Sequence, residues 1–146
     1  MNSIESIKTK FGAKVLGFNE SKTKKAYFVI NPEDILEFST YIFKDLNLRF
    51  ITVSGVDMRD SIEMLYHFSD DQSGAVITIR TMLTKKKDLV IDTLSKLIIG
   101  ASWIEREIHE MLGVNFKGND NLKHLLLNDD WPPNNYPLRH DNDNNN

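Results

Sequence analysis

The stretch WIEREIHEMLGVNF, residues 103–116, decides how this chain is read. Ile104, Ile108, Met111 and Leu112 recur every three or four residues and share one arc of a helical wheel. Glu105, Arg106, His109 and Glu110 take the opposite arc, with Glu107 at the border, and Gly113 is a natural helix stop. Glu105 and His109 stand four apart, as do Arg106 and Glu110, so weak pairs worth about 0.2–0.5 kcal/mol each can lace the polar arc. A solvated helix face is the plain reading. A docking face, with Arg106 and the glutamates pairing across an interface, is the sharper one.

Upstream, Leu94, Leu97, Ile98 and Ala101 prolong the same periodicity. Gly100 lies inside it and costs roughly 1 kcal/mol against alanine, which predicts a kink or restart there. At the start of the chain, Ile4, Ile7 and Phe11 are spaced for a short helix ending at Gly12. Residues 13–18 then read as a strand, 19–24 as a polar turn and 25–30 as a second strand. Asn31, Pro32, Glu33 and Asp34 predict a helix start, Asn31 as the cap, for a helix with the apolar stripe Ile35, Phe38, Ile42 and Leu46. Three extended segments follow at 49–58, 62–68 and 75–83, with Gly55 as a bulge or bend and the turn 70–74 making a hairpin. Lys85-Lys86-Lys87 reads as a solvated turn. The pattern predicts an α+β domain over residues 1–113, with a mostly antiparallel or mixed sheet of four to five strands covered by helices on one face.

From Val114 the character changes. Residues 114–141 scatter Phe116, Leu122, Leu125, Leu126, Leu127, Trp131, Tyr136 and Leu138 among Asn, Asp and Pro, without periodicity. That predicts an extended irregular tail, longer than ordinary connections, lying on its own domain or on a partner. The last residues, 142–146, are polar and expected to be disordered.

Composition removes several classes of function. There is no cysteine, so the chain offers no thiolate to an iron–sulfur cluster and no thiol redox cycle. The net charge of −3 gives no general reason to bind nucleic acid. No segment approaches the ~18 apolar residues of a membrane-spanning helix. The N-terminus lacks the apolar run of a signal peptide, so a cytoplasmic location is expected. His67, His109, His124 and His140 are too scattered for a recognisable ligand spacing, and none of the seven glycines forms a phosphate loop.

The 103–116 segment resembles the signature of the 30-kDa subunit family of respiratory complex I, found also in energy-converting membrane-bound hydrogenases. The family pattern is Trp, then Glu-Arg-Glu, an acidic residue three positions on, two apolar residues and Gly-x-x-Phe, here Trp103 to Phe116. Its downstream Gly-His-Pro-x-Leu-Arg-Arg-x-Leu stretch is met by residues 118–126, with Asn119 for His and Asp120 for Pro. Its Pro-Leu-Arg-Lys-Asp stretch is met by Pro137, Leu138, Arg139, His140 and Asp141, with His140 for Lys. Three motifs in order and spacing cover residues 101–141 closely; residues 1–100 match only in the order of elements.

The resemblance implies a subunit without a cofactor or catalytic residue of its own, in the peripheral arm of a membrane-bound redox complex. Its partners would be a large catalytic subunit of nickel–iron hydrogenase type and a small iron–sulfur subunit. The 4Fe–4S clusters, and the nickel–iron centre or quinone site, would belong to those partners. Membrane contact would come only through the complex, at the inner face of the cell membrane. The expected docking residues are Trp103, Glu105, Arg106, Glu107, Glu110, Phe116, Leu125, Leu126, Trp131, Leu138 and Arg139. A chain stopping near Arg139 fits the hydrogenase form slightly better than the quinone-reducing one. Two rivals come from other classes. One is a free-standing adaptor reusing the fold for another partner. The other is an enzyme working through Asp57, Asp60 and Glu63, or through Glu105 and His109.

Overall fold

Helix α1 (Ser3–Phe11) begins where the Asn2 side chain accepts the backbone N–H of Glu5 at 2.8 Å. The computed structural model describes residues 2–140. The helix buries Ile4, Ile7 and Phe11, the three residues whose spacing predicts it. Because the cap satisfies a first-turn donor, Asn2→Ala is expected to cost about 1 kcal/mol, read as a shift of the urea midpoint at unchanged slope.

The chain divides into two compact units, one of residues 2–53 with 65–81, the other of Ser54–Met64 with Met82 onward. The segment after residue 113 lies in the second unit. Five strands form a mixed sheet in the order β1-β2-β5-β4-β3, comprising β1 (Gly17–Glu20), β2 (Lys25–Val29), β3 (Arg49–Asp57), β4 (Ser61–Asp70) and β5 (Ala75–Thr84). Among the described residues three α-helices complete the α+β fold.

In the first unit β1 pairs antiparallel to β2, from Gly17 opposite Val29 to Glu20 opposite Ala26. Strand β2 pairs parallel to β5, from Lys25 beside Val76 to Val29 beside Arg80. The strand expected over 13–18 starts only at Gly17, because Gly12–Lys14 continue α1 as a 3₁₀ turn. The second predicted helix is composite: a 3₁₀ turn (Pro32–Asp34), helix α2 (Ile35–Thr40) and a π turn (Tyr41–Asp45) closed by Leu46 N–H to Tyr41 C=O at 2.9 Å. Asn31 caps with its backbone carbonyl rather than its side chain, accepting Asp34 N–H at 3.1 Å. Ile35, Phe38 and Ile42 are fully buried, and Phe38 stacks on Phe11 with ring centroids 4.0 Å apart. Along β4, Tyr66 and Phe68 are buried while His67 between them is half-buried, the alternation of a strand with one covered face.

In the second unit, β6 (Val90–Asp92), helix α3 (Ala101–Leu112) and β7 (Asn115–Lys117) form a parallel crossover, with Ile91 beside Phe116. The helical run expected from Leu94 begins only at Ala101: residues 95–97 and 99–100 are turns, so Gly100 precedes the helix rather than kinking it. Gly55 marks a close approach rather than a bulge. A Cβ there would stand 2.7 Å from Leu112 Cδ1 and 3.4 Å from Ile108 Cγ2, so α3 lies directly on the strand. Lys85 is not solvated as the lysine run suggests. Its ammonium pairs with the Asp57 carboxylate at 2.5 Å, with side chains only 14% and 2% exposed.

Candidate functional site

Helix α3 puts two carboxylates under cover where the wheel reading expects solvent. Glu105 is 0% and Glu110 5% exposed. The expected pairs along the helix do not form among the described contacts, because each group meets a different need.

Glu105 joins the two ends of the crossover. Its carboxylate accepts the Leu94 N–H at 2.7 Å and the Thr93 hydroxyl at 2.5 Å, just past β6, and the Asn119 side-chain amide at 2.8 Å, just past β7. Burial pushes its carboxyl above the usual range, and the three hydrogen bonds only partly offset that. Asn119 stands where the family pattern has His and keeps an N–H donor for this carboxylate.

Glu110 faces the following segment. Leu125 and Leu127 N–H donate to its Oε1 at 3.0 and 2.9 Å, and Leu126 N–H to Oε2 at 2.9 Å. His124 Nδ1 lies 3.1 Å from Oε1. Burial alone would push this carboxyl up, but the hydrogen bonds from Leu126, Leu127, His124 and Leu125 outweigh it and hold the group below its ordinary value.

Arg106 completes the pattern, donating Nε to the Lys123 carbonyl at 3.2 Å and Nη2 to the His124 carbonyl at 3.0 Å. Its guanidinium lies 5.2 Å from the centre of the Trp103 ring. His109 Nδ1 bonds the Val114 carbonyl at 2.8 Å rather than meeting Glu105. Gly113 ends the helix in the left-handed conformation, φ +80°, with its N–H on the His109 carbonyl. The later segment returns to this end. Leu138 N–H bonds the Met111 carbonyl at 3.1 Å, and Arg139 Nη1 the Leu112 carbonyl at 3.2 Å. Segment 114–140 is therefore tied to the helix of its own unit by backbone and side-chain hydrogen bonds.

The eleven expected docking residues fall into three groups. Trp103, Glu107, Leu126 and Leu138 are exposed, three of them large and apolar at 62%, 62% and 59%. Arg106, Leu125, Trp131 and Arg139 are half-buried. Glu105, Glu110 and Phe116 are buried within the chain, Phe116 because β7 places it in the second unit's own core. Ile99, 88% exposed on the turn before α3, joins the exposed apolar set without having been expected there. Only its position outside the helix proper, one residue before Gly100, signals it. A cavity of about 540 Å³ lies between α3 and the returning segment, lined by His109, Glu110, Leu127, Trp131 and Tyr136 among others. Asp57 is tied to Lys85 and to the His140 N–H, so the Asp57, Asp60 and Glu63 cluster is not an open acidic site; Glu63 is itself buried. Among the described residues no three His, Asp or Glu side chains group to hold a metal ion, and none of the helices is long and apolar enough to cross a membrane.

Residues 28–146 match the family described as respiratory-chain NADH dehydrogenase, 30 Kd subunit. A subunit of the NADH-quinone oxidoreductase of Citrifermentans bemidjiense is 30% identical over 143 residues, which are 95% of this chain and 86% of that protein. The same-named protein of Chloroherpeton thalassium is 31% identical over 92% of this chain, yet that match spans only 57% of its length. Among solved structures, a chain of the membrane-bound sulfane sulfur reductase, an archaeal respiratory membrane complex, shares the fold with a TM-score of 0.80. The match covers 94% of this chain and 82% of that one, at 22% identity.

Proposed function

The chain belongs to the respiratory-chain NADH dehydrogenase 30 Kd subunit family, and from that premise we propose that it is a cofactor-free structural subunit in the peripheral arm of a membrane-bound redox complex. It docks there on the large catalytic subunit, beside the small iron–sulfur subunit, and keeps their centres in electron-transfer geometry. The complex is of the NADH/quinone oxidoreductase or energy-converting hydrogenase type. Iron–sulfur clusters, and the quinone site or nickel–iron centre, reside in the partners; a chain without cysteine holds no cluster on thiolates of its own.

The observation that carries the reading is the exposure of Trp103 on α3 and of Leu126 on a loop whose Leu126 N–H and His124 carbonyl are already held by that helix. Exposed aromatic and aliphatic groups on a rigid support are the usual anchors of an interface. Native purification on a tag at the N-terminus of the full chain tests it, with the large subunit identified by mass spectrometry. Trp103→Ala should lower recovery of that subunit about tenfold while leaving the unfolding midpoint within error. Full recovery by the variant, or a wild-type chain isolated without redox subunits, would reject the docking role.

A further inference from the structure

We infer that Arg106 and Glu110 act in cis as a backbone clamp, which holds residues 123–127 as a preformed loop displaying Leu126 to the large subunit. The inference rests on the functional reading above and changes the role of two residues within it. Family resemblance puts Arg106 and Glu110 at the interface itself. The geometry makes them positioning residues instead.

The loop starts from a shortage of backbone partners. Residues 123–127 belong to no helix or strand, so their backbone groups lack the partners that regular structure supplies. Arg106 takes two carbonyls, of Lys123 and His124, and Glu110 takes three successive N–H groups, of Leu125, Leu126 and Leu127. Successive N–H groups turned toward one anion form a concave nest, and here the anion comes from the chain's own helix. A pair spaced four apart usually closes on itself across one helical turn. In this protein it opens, cation to carbonyls and anion to amides, each matching the sign of the group it meets.

Two consequences follow for docking. Glu110 is spent: its side chain is 1% exposed and receives four donors, so nothing remains to offer a partner. And because the clamp grips backbone, side chains along the loop stay outside it, with Leu126 62% exposed while its own N–H is held. Arg106 also lies 5.2 Å from the Trp103 ring centre, so one guanidinium touches the helix anchor and holds the loop backbone at His124. Ordering a loop before association removes an entropic cost that the interface would otherwise bear.

The test has two arms on the full-length chain. In the first, amide hydrogen exchange by NMR is compared for wild type, Glu110→Ala, Glu110→Gln and Arg106→Ala. Glu110→Ala should speed exchange at Leu125, Leu126 and Leu127 by about tenfold or more, with strand amides unchanged. Glu110→Gln keeps one acceptor oxygen and should restore part of the protection, whereas Arg106→Ala, a half-buried position, tests the clamp without emptying a buried site. Unchanged exchange in both alanine variants overturns the clamp. In the second arm, recovery of the large subunit is measured for Glu110→Ala and Leu126→Ala, alone and together. If the carboxylate works through the displayed leucine, the double variant loses no more than either single one. Additive losses, or full recovery by Glu110→Ala despite fast exchange, overturn the positioning role. Should wild type itself recover no redox subunit, the functional reading fails, and the exchange arm still decides the clamp.

Discussion

Glu105→Ala is expected to destabilise the chain by about 3 kcal/mol, because it strands the buried Leu94 N–H and takes one partner each from the Thr93 hydroxyl, which keeps Ser95, and the part-buried Asn119 amide. Each buried donor left without a partner costs about 1–3 kcal/mol, and water entering the vacated space offsets part of the sum. The effect also has a pH signature. Burial raises the folded-state value of Glu105 above its ordinary one. The folded chain therefore holds the proton more tightly than the unfolded chain. The contribution is complete below the ordinary carboxyl range and is lost as pH rises through the folded-state value. Glu110, held below its ordinary value, works with the opposite sign and loses its contribution as pH falls. Urea unfolding across a pH series of wild type and Glu105→Gln separates the two. Glutamine should flatten the decline on the rising side and leave the loss on the acid side. An unaltered rising-side slope in that variant would show that Glu105 is not the titrating group.

Gly113→Val should be comparably severe, again about 3 kcal/mol, from two sources that add. The residue sits at φ +80°, where a side chain is strained by roughly 1–2 kcal/mol whatever space surrounds it. The space is also taken: a Cβ would lie 2.5–2.9 Å from three atoms of the Tyr136 ring. Relief requires either unwinding the last turn of α3 or lifting Tyr136, and with it the Leu138 N–H that bonds Met111. A double-mutant cycle with Tyr136→Ala reads the division. Removing the ring should recover the steric part and leave the conformational part. A cycle with no coupling would mean that the returning segment does not seat on Gly113 in solution.

Much of this architecture is legible in residue order. Gly100 and Gly113 bracket α3 within a residue, since a residue without Cβ is both a poor helix interior and a good left-handed stop. The stripes Ile4-Ile7-Phe11 and Ile35-Phe38-Ile42 bury as their spacing predicts. What escapes is short or non-local. Strands β6 and β7 have three residues each, too few for an alternation to register, so Phe116 reads as a loose anchor rather than a core residue. The π turn after Thr40 shifts one residue out of a stripe that a wheel treats as regular.

The contrast is sharpest on α3 itself. The order of residues determines that a helix stands at 101–112, that Glu105, Arg106, His109 and Glu110 lie away from its apolar arc, and that the chain is of the 30 Kd subunit family. It leaves open which surroundings that second arc meets, because a wheel assigns charge to water by default. Only the folded chain decides it. The ends of β6 and β7 and the loop 123–127 bring unpaired N–H groups to the helix, and a buried amide needs an acceptor more than a surface glutamate needs a lysine. The carboxylates turn inward, while the large apolar side chains of Ile99, Trp103, Leu126 and Leu138 stay exposed.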